Sequence, residues 1–255
     1  MIKTISKVLK YFFLGLLGFS LLMTLIFAFV KVYPDQGLEE ASFSAEIEYD
    51  SSYYAMRFDS LNALYGNNKI LLPGFELQSL IALSYFPDLK EADIRFTYEP
   101  ALVPMASRPG FFAMFKNKSN WIYNIIISSE STEGMEPILM KYLSFNGQVG
   151  ILAHELGHTV HYQNFNMLQM LKFGVLYLID TEFRAKHERD TDALAVYRGA
   201  GGPLYDYAYF VRYDPSVVSK MGQNDYMDKF YMNDVEISEL MQSLSMYQQQ
   251  AGGEN

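Results

Sequence analysis

The sequence predicts an α+β domain carried behind one N-terminal transmembrane helix. Three observations lead there. Residues 11–30 contain no charge, which at 1.5 Å per residue makes a helix of about 30 Å, the thickness of a bilayer core. Residues 92–98 and 121–128 carry strand signatures, alternation in the first and dense β-branched and aromatic side chains in the second. Residues 149–162 and 182–198 repeat at helical spacing.

Four segments follow: a basic cytoplasmic stretch (1–10), the anchor (11–30), a tether (31–52) and one folded domain (53–255). The chain has 255 residues, half of them hydrophobic and 19% charged, a balance that suits a globular fold with its own core. Net charge is −9, and the first 31 residues hold four lysines and no acid, so the rest carries −13. A body that acidic repels phosphate backbones, which argues against nucleic-acid binding. There is no cysteine, which excludes disulfides and Cys-ligated metal.

Lys3, Lys7 and Lys10 precede the anchor and should stay cytoplasmic, sending the body across. A cleaved signal peptide would have a shorter apolar run and a small-x-small site; Ala28-Phe29-Val30 is a poor one. The tether is acidic and contains Pro34, Gly37 and the pair Glu39-Glu40. Residues 53–64 read as irregular or helical, and turns at Asn67-Asn68 and Pro73-Gly74 flank Ile70. Residues 77–85 suggest a short buried helix closed by Pro87, and the strand at 92–98 should turn Ile94, Phe96 and Tyr98 to one side. Three prolines in 100–110 suggest a loop, with Arg108 able to hang over a cleft. Residues 135–142 read as helical. Residues 167–179 are apolar but too short and polar to span; they predict a buried or interfacial helix, and an interfacial one would hold a nearby site close to lipid. One further helix is expected over 235–248.

The chemistry lies in residues 149–162, VGILAHELGHTVHY. On a helix, Val149, Leu152, Ala153, Leu156 and Val160 form an apolar stripe, with His154, His158 and His161 opposite and Glu155 on the flank. Asn146 is a plausible N-cap. Histidines at i and i+4 present two imidazoles one turn apart, close enough to share one zinc ion. Such an ion lowers the pKa of a water in its open position, and Glu155 can take that proton as general base. A third protein ligand is required. Glu188 and Asp192 share a face of the downstream helix, so Glu188 can complete the site while Asp192 orients a ligand histidine. His161 and Glu182 are rival ligands. His187, beside Glu188, is expected in solvent or at an oxyanion; Tyr197 and Arg198 are expected to serve the helix end or, alternatively, an oxyanion.

HELGH followed about thirty residues later by Glu188-Arg189-Asp190-Thr191-Asp192-Ala193 resembles the gluzincin zinc metallopeptidases, most of all the membrane-associated M48 group of HtpX and CAAX proteases. The resemblance covers about a fifth of the chain. It implies a zincin-like fold with an active-site helix pair, one zinc ion on His154, His158 and Glu188, Glu155 as general base and Asp192 behind the ligands. It also implies an edge strand along which substrate lies, for which residues 121–128 are the candidate. The expected function is a membrane-anchored peptidase acting on protein or peptide outside the cytoplasm. The alternatives are a low-turnover zincin domain serving envelope assembly or chaperoning, and a domain in which zinc is purely structural.

Overall fold

The N-terminal segment, with no proline and no acid to interrupt it, forms a single helix α1 (Ile2–Phe29), long and apolar enough to cross a membrane between Lys7 and Phe29. The computed structural model describes residues 2–32, 38–42, 45–221 and 225–251; Pro34 and Gly37 lie outside these. The described part of the tether does not hang free. Ala41 N donates to Tyr197 O and Ala45 N to Met246 O, and Ala45 is fully buried.

The domain then runs through α2 (Ser51–Ala55), α3 (Phe58–Tyr65), β1 (Lys69–Ile70), α4 (Glu76–Ser84), β2 (Asp93–Glu99), β3 (Met105–Pro109) and β4 (Ile122–Ser128). An all-helical second half follows: α5 (Phe145–Gln163), α6 (Met167–Ile179), α7 (Thr181–Ala195), α8 (Gly201–Tyr213), α9 (Pro215–Met221), α10 (Asp225–Phe230), α11 (Asp234–Ser243) and α12 (Ser245–Ala251). The architecture is mixed α+β. The sheet has the order β1-β2-β4-β3, with β1, β2 and β4 parallel and β3 antiparallel to β4. Ile94, Phe96, Tyr123, Ile125 and Ile127 belong to one buried core with Val149, Leu152 and Leu156 of α5. Burial on that scale, at about 25 cal/mol per Å² of apolar surface, is what ties sheet to helix.

Several local expectations are corrected. Residues 100–110 are not all loop, because Met105–Pro109 pairs along β4 from Met105↔Ile127 to Pro109↔Tyr123. Proline is tolerated there because an edge strand leaves outward N–H groups unpaired anyway. Consequently residues 121–128 form the strand between β2 and β3, not the edge. Tyr98 is exposed. Residues 135–142 make two 3₁₀ turns, Glu136–Ile138 and Met140–Tyr142, where Pro137 lacks the N–H a longer helix would use. The tail breaks at the extended residue Leu244 into α11 and α12.

The glycines after α7 kink the chain rather than end it. Gly199 adopts φ 102° inside a wide turn, Val196–Ala200, and α8 starts at once. Pro203 sits in the first turn of α8, where a missing N–H costs nothing.

Candidate metal centre

α5 is capped by Ser144, whose side chain accepts from Gly147 N. Asn146, the expected cap, is inside the helix and donates to Ile47 O and Asp206 Oδ2. The sequence sets the histidines opposite an apolar stripe, and every residue from Val149 to Tyr162 is buried, the histidine face included. Two glycines let neighbouring helices close in. A Cβ on Gly150 would stand 2.2 Å from Pro203 O of α8, and one on Gly157 would stand 3.0 Å from Thr191 Cγ2 of α7.

α7 therefore lies against the histidine face. Asp180 caps it by accepting from Glu182 N and Phe183 N, and its inward face carries His187, Glu188, Thr191 and Asp192. Glu188 Oε2 lies 3.2 Å from His154 Nε2 and 3.2 Å from His158 Nε2. One ligand atom from each of these residues falls within 4.8 Å of the other two, so the buried triad can hold a metal ion.

Surrounding bonds fix how the rings face. His154 Nδ1 donates to Asp192 Oδ1 at 2.7 Å, and Asp192 Oδ2 accepts from Met232 N at 2.8 Å. His158 Nδ1 lies 3.0 Å from His187 Nε2 and 3.3 Å from Thr191 Oγ1, which itself donates to His187 O. With both Nδ1 atoms engaged, both Nε2 lone pairs point at an anionic oxygen. Lone pairs crowded on a carboxylate repel unless positive charge stands between them, so the donor set suits a cation.

The electrostatics agree. Burial opposes charge on His154, but Asp192 and Glu188 outweigh it and hold its pKa well above 6.5. Burial likewise opposes ionisation of Glu188, but His158 and His154 hold it well below 4.5. Glu155 is pushed up by burial, against the pull of His158 and His154. Its Oε2 is buried with no hydrogen-bond partner among the described residues. An acceptor stranded in this way is poised to take a proton from a small molecule placed beside it.

The triad and Glu155 line a cleft of about 300 Å³. Val103, Pro104, Met105, Ala106 and Ser107, leading into and along edge strand β3, form one wall. Ser107 Oγ is hydrogen-bonded to Thr159 Oγ1 of α5 at 2.8 Å, which pins that wall to the motif helix. Tyr177, Tyr207 and Tyr231 also face the cleft. Tyr177 donates to Glu188 Oε1, and the Tyr231 ring lies 5.7 Å from that of His154.

The other candidates lie elsewhere or serve differently. His161 is 1% exposed, contributes no atom to the cleft wall, and has no hydrogen-bond partner on either ring nitrogen among the described residues; burial depresses its pKa to about 3. Glu182 is exposed at the start of α7. Arg198 pairs with Asp88 at 2.6 Å, and neither it nor Tyr197 borders the cleft. Arg108 is exposed on β3 outside the cleft wall. His187, expected in solvent, is fully buried beside His158. Its place, like that of Thr191, follows from the contact between α5 and α7, while Tyr177 arrives from α6 and Tyr231 from the turn after α10, so none of the four was readable within one element. No family model, curated protein or solved structure matches this chain.

Proposed function

We propose that the chain is a membrane-anchored zinc-dependent peptidase of gluzincin type with a zincin-like fold. The observation that carries the proposal is the convergence of His154, His158 and Glu188 on one point, with the unpartnered Glu155 oxygen in the same cleft. Two imidazoles and one carboxylate are a donor set that suits zinc and leave a coordination position open. A zinc ion held by His154, His158 and Glu188 supplies Lewis acidity, polarising a carbonyl and making water easier to deprotonate. Asp192 keeps His154 in the tautomer that offers Nε2. Glu155 accepts a proton from the attacking water as the C–O bond forms and the carbonyl electron pair moves to oxygen; it then delivers that proton to the amine as the oxyanion collapses and the C–N bond breaks. Tyr231, kept protonated by burial and by Glu188 and with its ring 5.7 Å from that of His154 in the same cleft, is the donor for the developing oxyanion. The free edge of β3 offers backbone groups on which an extended peptide can lie as an added strand. Lys3, Lys7 and Lys10, in the first turns of α1 ahead of its uncharged stretch, favour a cytoplasmic N-terminus and an extracytoplasmic domain.

The test is hydrolysis of an unfolded protein by the zinc-loaded chain and by Glu155→Gln. We expect the variant to bind metal and lose about 10²–10⁴-fold in rate. Equal hydrolysis by the two would remove the peptidase reading and leave a domain for assembly or chaperoning.

A further inference from the structure

α6 is apolar on two sides. Its inner side chains Met170 and Phe173 are buried against the domain. Leu168, Leu171, Val175 and Leu178 recur at three- and four-residue spacing along the opposite side. Leu168 and Leu178 are exposed, Leu171 and Val175 are half-buried, and the helix ends on Ile179 at 72% exposure. An isolated soluble domain has no reason to present such a row to water.

What lies beside this row is the end of α1. Lys172 Nζ donates to Phe27 O and Val30 O, both at 2.8 Å, and Gln169 Nε2 donates to Lys31 O at 3.0 Å. Lys172 thus completes the last carbonyls of α1. It breaks the apolar row where a long basic side chain can reach from an interface toward polar atoms. Moving forward along α6 from Gln169 to Lys172 moves backward along α1 from Lys31 to Phe27. The later residues of α6 therefore lie alongside the apolar part of α1, at the depth where its span ends.

A second patch adjoins the same corner. Phe111, Phe112 and Phe115 are 61%, 81% and 60% exposed and stack edge to face on one another. Gln169, which touches Lys31, also borders a groove with Met114, Lys116 and Trp121. Lys118 fastens this turn to the end of α5 by donating to Tyr162 O and Phe165 O.

We infer that the outer side of α6 and the turn carrying Phe111, Phe112 and Phe115 are seated in the bilayer interface, flanking the point where α1 leaves it. This rests on the anchored reading of α1 and not on the peptidase reading. Its occupant is lipid because both patches adjoin α1, the one helix among the described residues long and apolar enough to be in lipid already. The functional consequence follows from the inner side of the same helix. Tyr177 of α6 lines the cleft and donates to Glu188. The metal centre is then held about one helix diameter, roughly 10 Å, from the headgroups; joined to the peptidase reading, on which the seating itself does not depend, this makes its substrates polypeptide segments lying at the membrane surface.

The chain has no cysteine, so single cysteines can be introduced into the full-length protein and labelled with an environment-sensitive fluorophore. The sites are Leu178→Cys and Phe112→Cys, with Leu17→Cys in α1 and the exposed Met56→Cys as references. Each is reconstituted into nanodiscs of phosphatidylcholine, plain or brominated on the acyl chain near the headgroup. Labels at 178 and 112 should lose at least half their emission to brominated lipid and resist aqueous iodide, as the label at 17 does. The label at 56 should do the reverse. If 17 is quenched while 178 and 112 behave like 56, the inference fails and the anchor stands. If 17 is not quenched, the anchored reading itself fails. Iodide protection at 178 that depends on protein concentration, without lipid quenching, would assign the patch to a second copy and overturn the inference.

Discussion

His154 and Asp192, thirty-eight residues apart, are joined by a 2.7 Å hydrogen bond from Nδ1 to Oδ1, and Asp192 is itself held by the Met232 amide. The bond fixes which nitrogen of His154 faces the triad. Asp192→Asn keeps the shape but replaces one carboxylate oxygen with an N–H group, which cannot accept from both His154 and Met232. We expect zinc affinity to fall about 10–100-fold while the circular dichroism spectrum stays unchanged. Competition with a chromophoric chelator measures it, and unaltered affinity would show that Asp192 does not orient the ring.

His158 has the equivalent support from His187 and Thr191, but His187 carries a cost. Its Nδ1 is buried without a hydrogen-bond partner among the described residues, and burial, followed by His158, depresses its pKa far below 6.5. His187→Phe removes the stranded nitrogen and fills similar space beside Phe173 and Tyr162. The expected result separates two quantities. Thermal stability of the metal-free protein should hold or rise, by about 1 kcal/mol, while zinc affinity falls roughly tenfold because His158 loses its orienting neighbour. A parallel fall in both would mean that His187 serves packing alone.

How much of this was legible in the sequence follows from range. His154, Glu155 and His158 declare themselves because their relation is set inside one helix, and Glu188 and Asp192 share a face for the same reason. The strand at 92–98 and α4 were readable from period and breakers. β3 was not, because its prolines speak of loops, and only the unpaired outer edge makes them tolerable. The all-round burial of α5 was equally hidden. Polar residues such as His154, Glu155, Thr159 and His161 look solvent-facing until α7 and α8 are packed on them. Whether α6 was buried or interfacial also depended on a neighbour 142 residues away, the end of α1.

The close helix approaches predict a graded packing response. At Gly150 an added methyl meets the Pro203 carbonyl at 2.2 Å, and backbone cannot step aside cheaply. Gly150→Ala should therefore destabilise by about 3 kcal/mol or more. At Gly157 the obstacle is the Thr191 methyl at 3.0 Å, which can yield. Gly157→Ala should cost about 1 kcal/mol, yet it displaces the threonine whose hydroxyl sits by His158 and so weakens zinc binding more than its stability loss suggests. Urea melts of the two metal-free variants provide the comparison, and a larger loss at Gly157 would contradict it.

The last prediction concerns pH and metal together. In the metal-free protein, burial works against a charged His154, but Asp192 and Glu188 prevail and raise its pKa well above 6.5. A base whose folded pKa exceeds its unfolded value stabilises the fold fully below the unfolded value, and that stabilisation is lost as pH rises through the folded value. The metal-free protein should therefore lose stability as pH climbs above about 6.5. Zinc takes the proton's place between the imidazoles and Glu188, so the loaded protein should not share that loss. Binding must then release protons, and affinity should climb about tenfold per pH unit for each proton displaced. Melting temperatures from about pH 6 to 9, with zinc and with a chelator, should diverge as pH rises. Calorimetry in two buffers of different ionisation enthalpy should register the released proton. Parallel melting curves with no proton release would mean that no ion replaces a proton at His154, and the triad would then not be a metal centre.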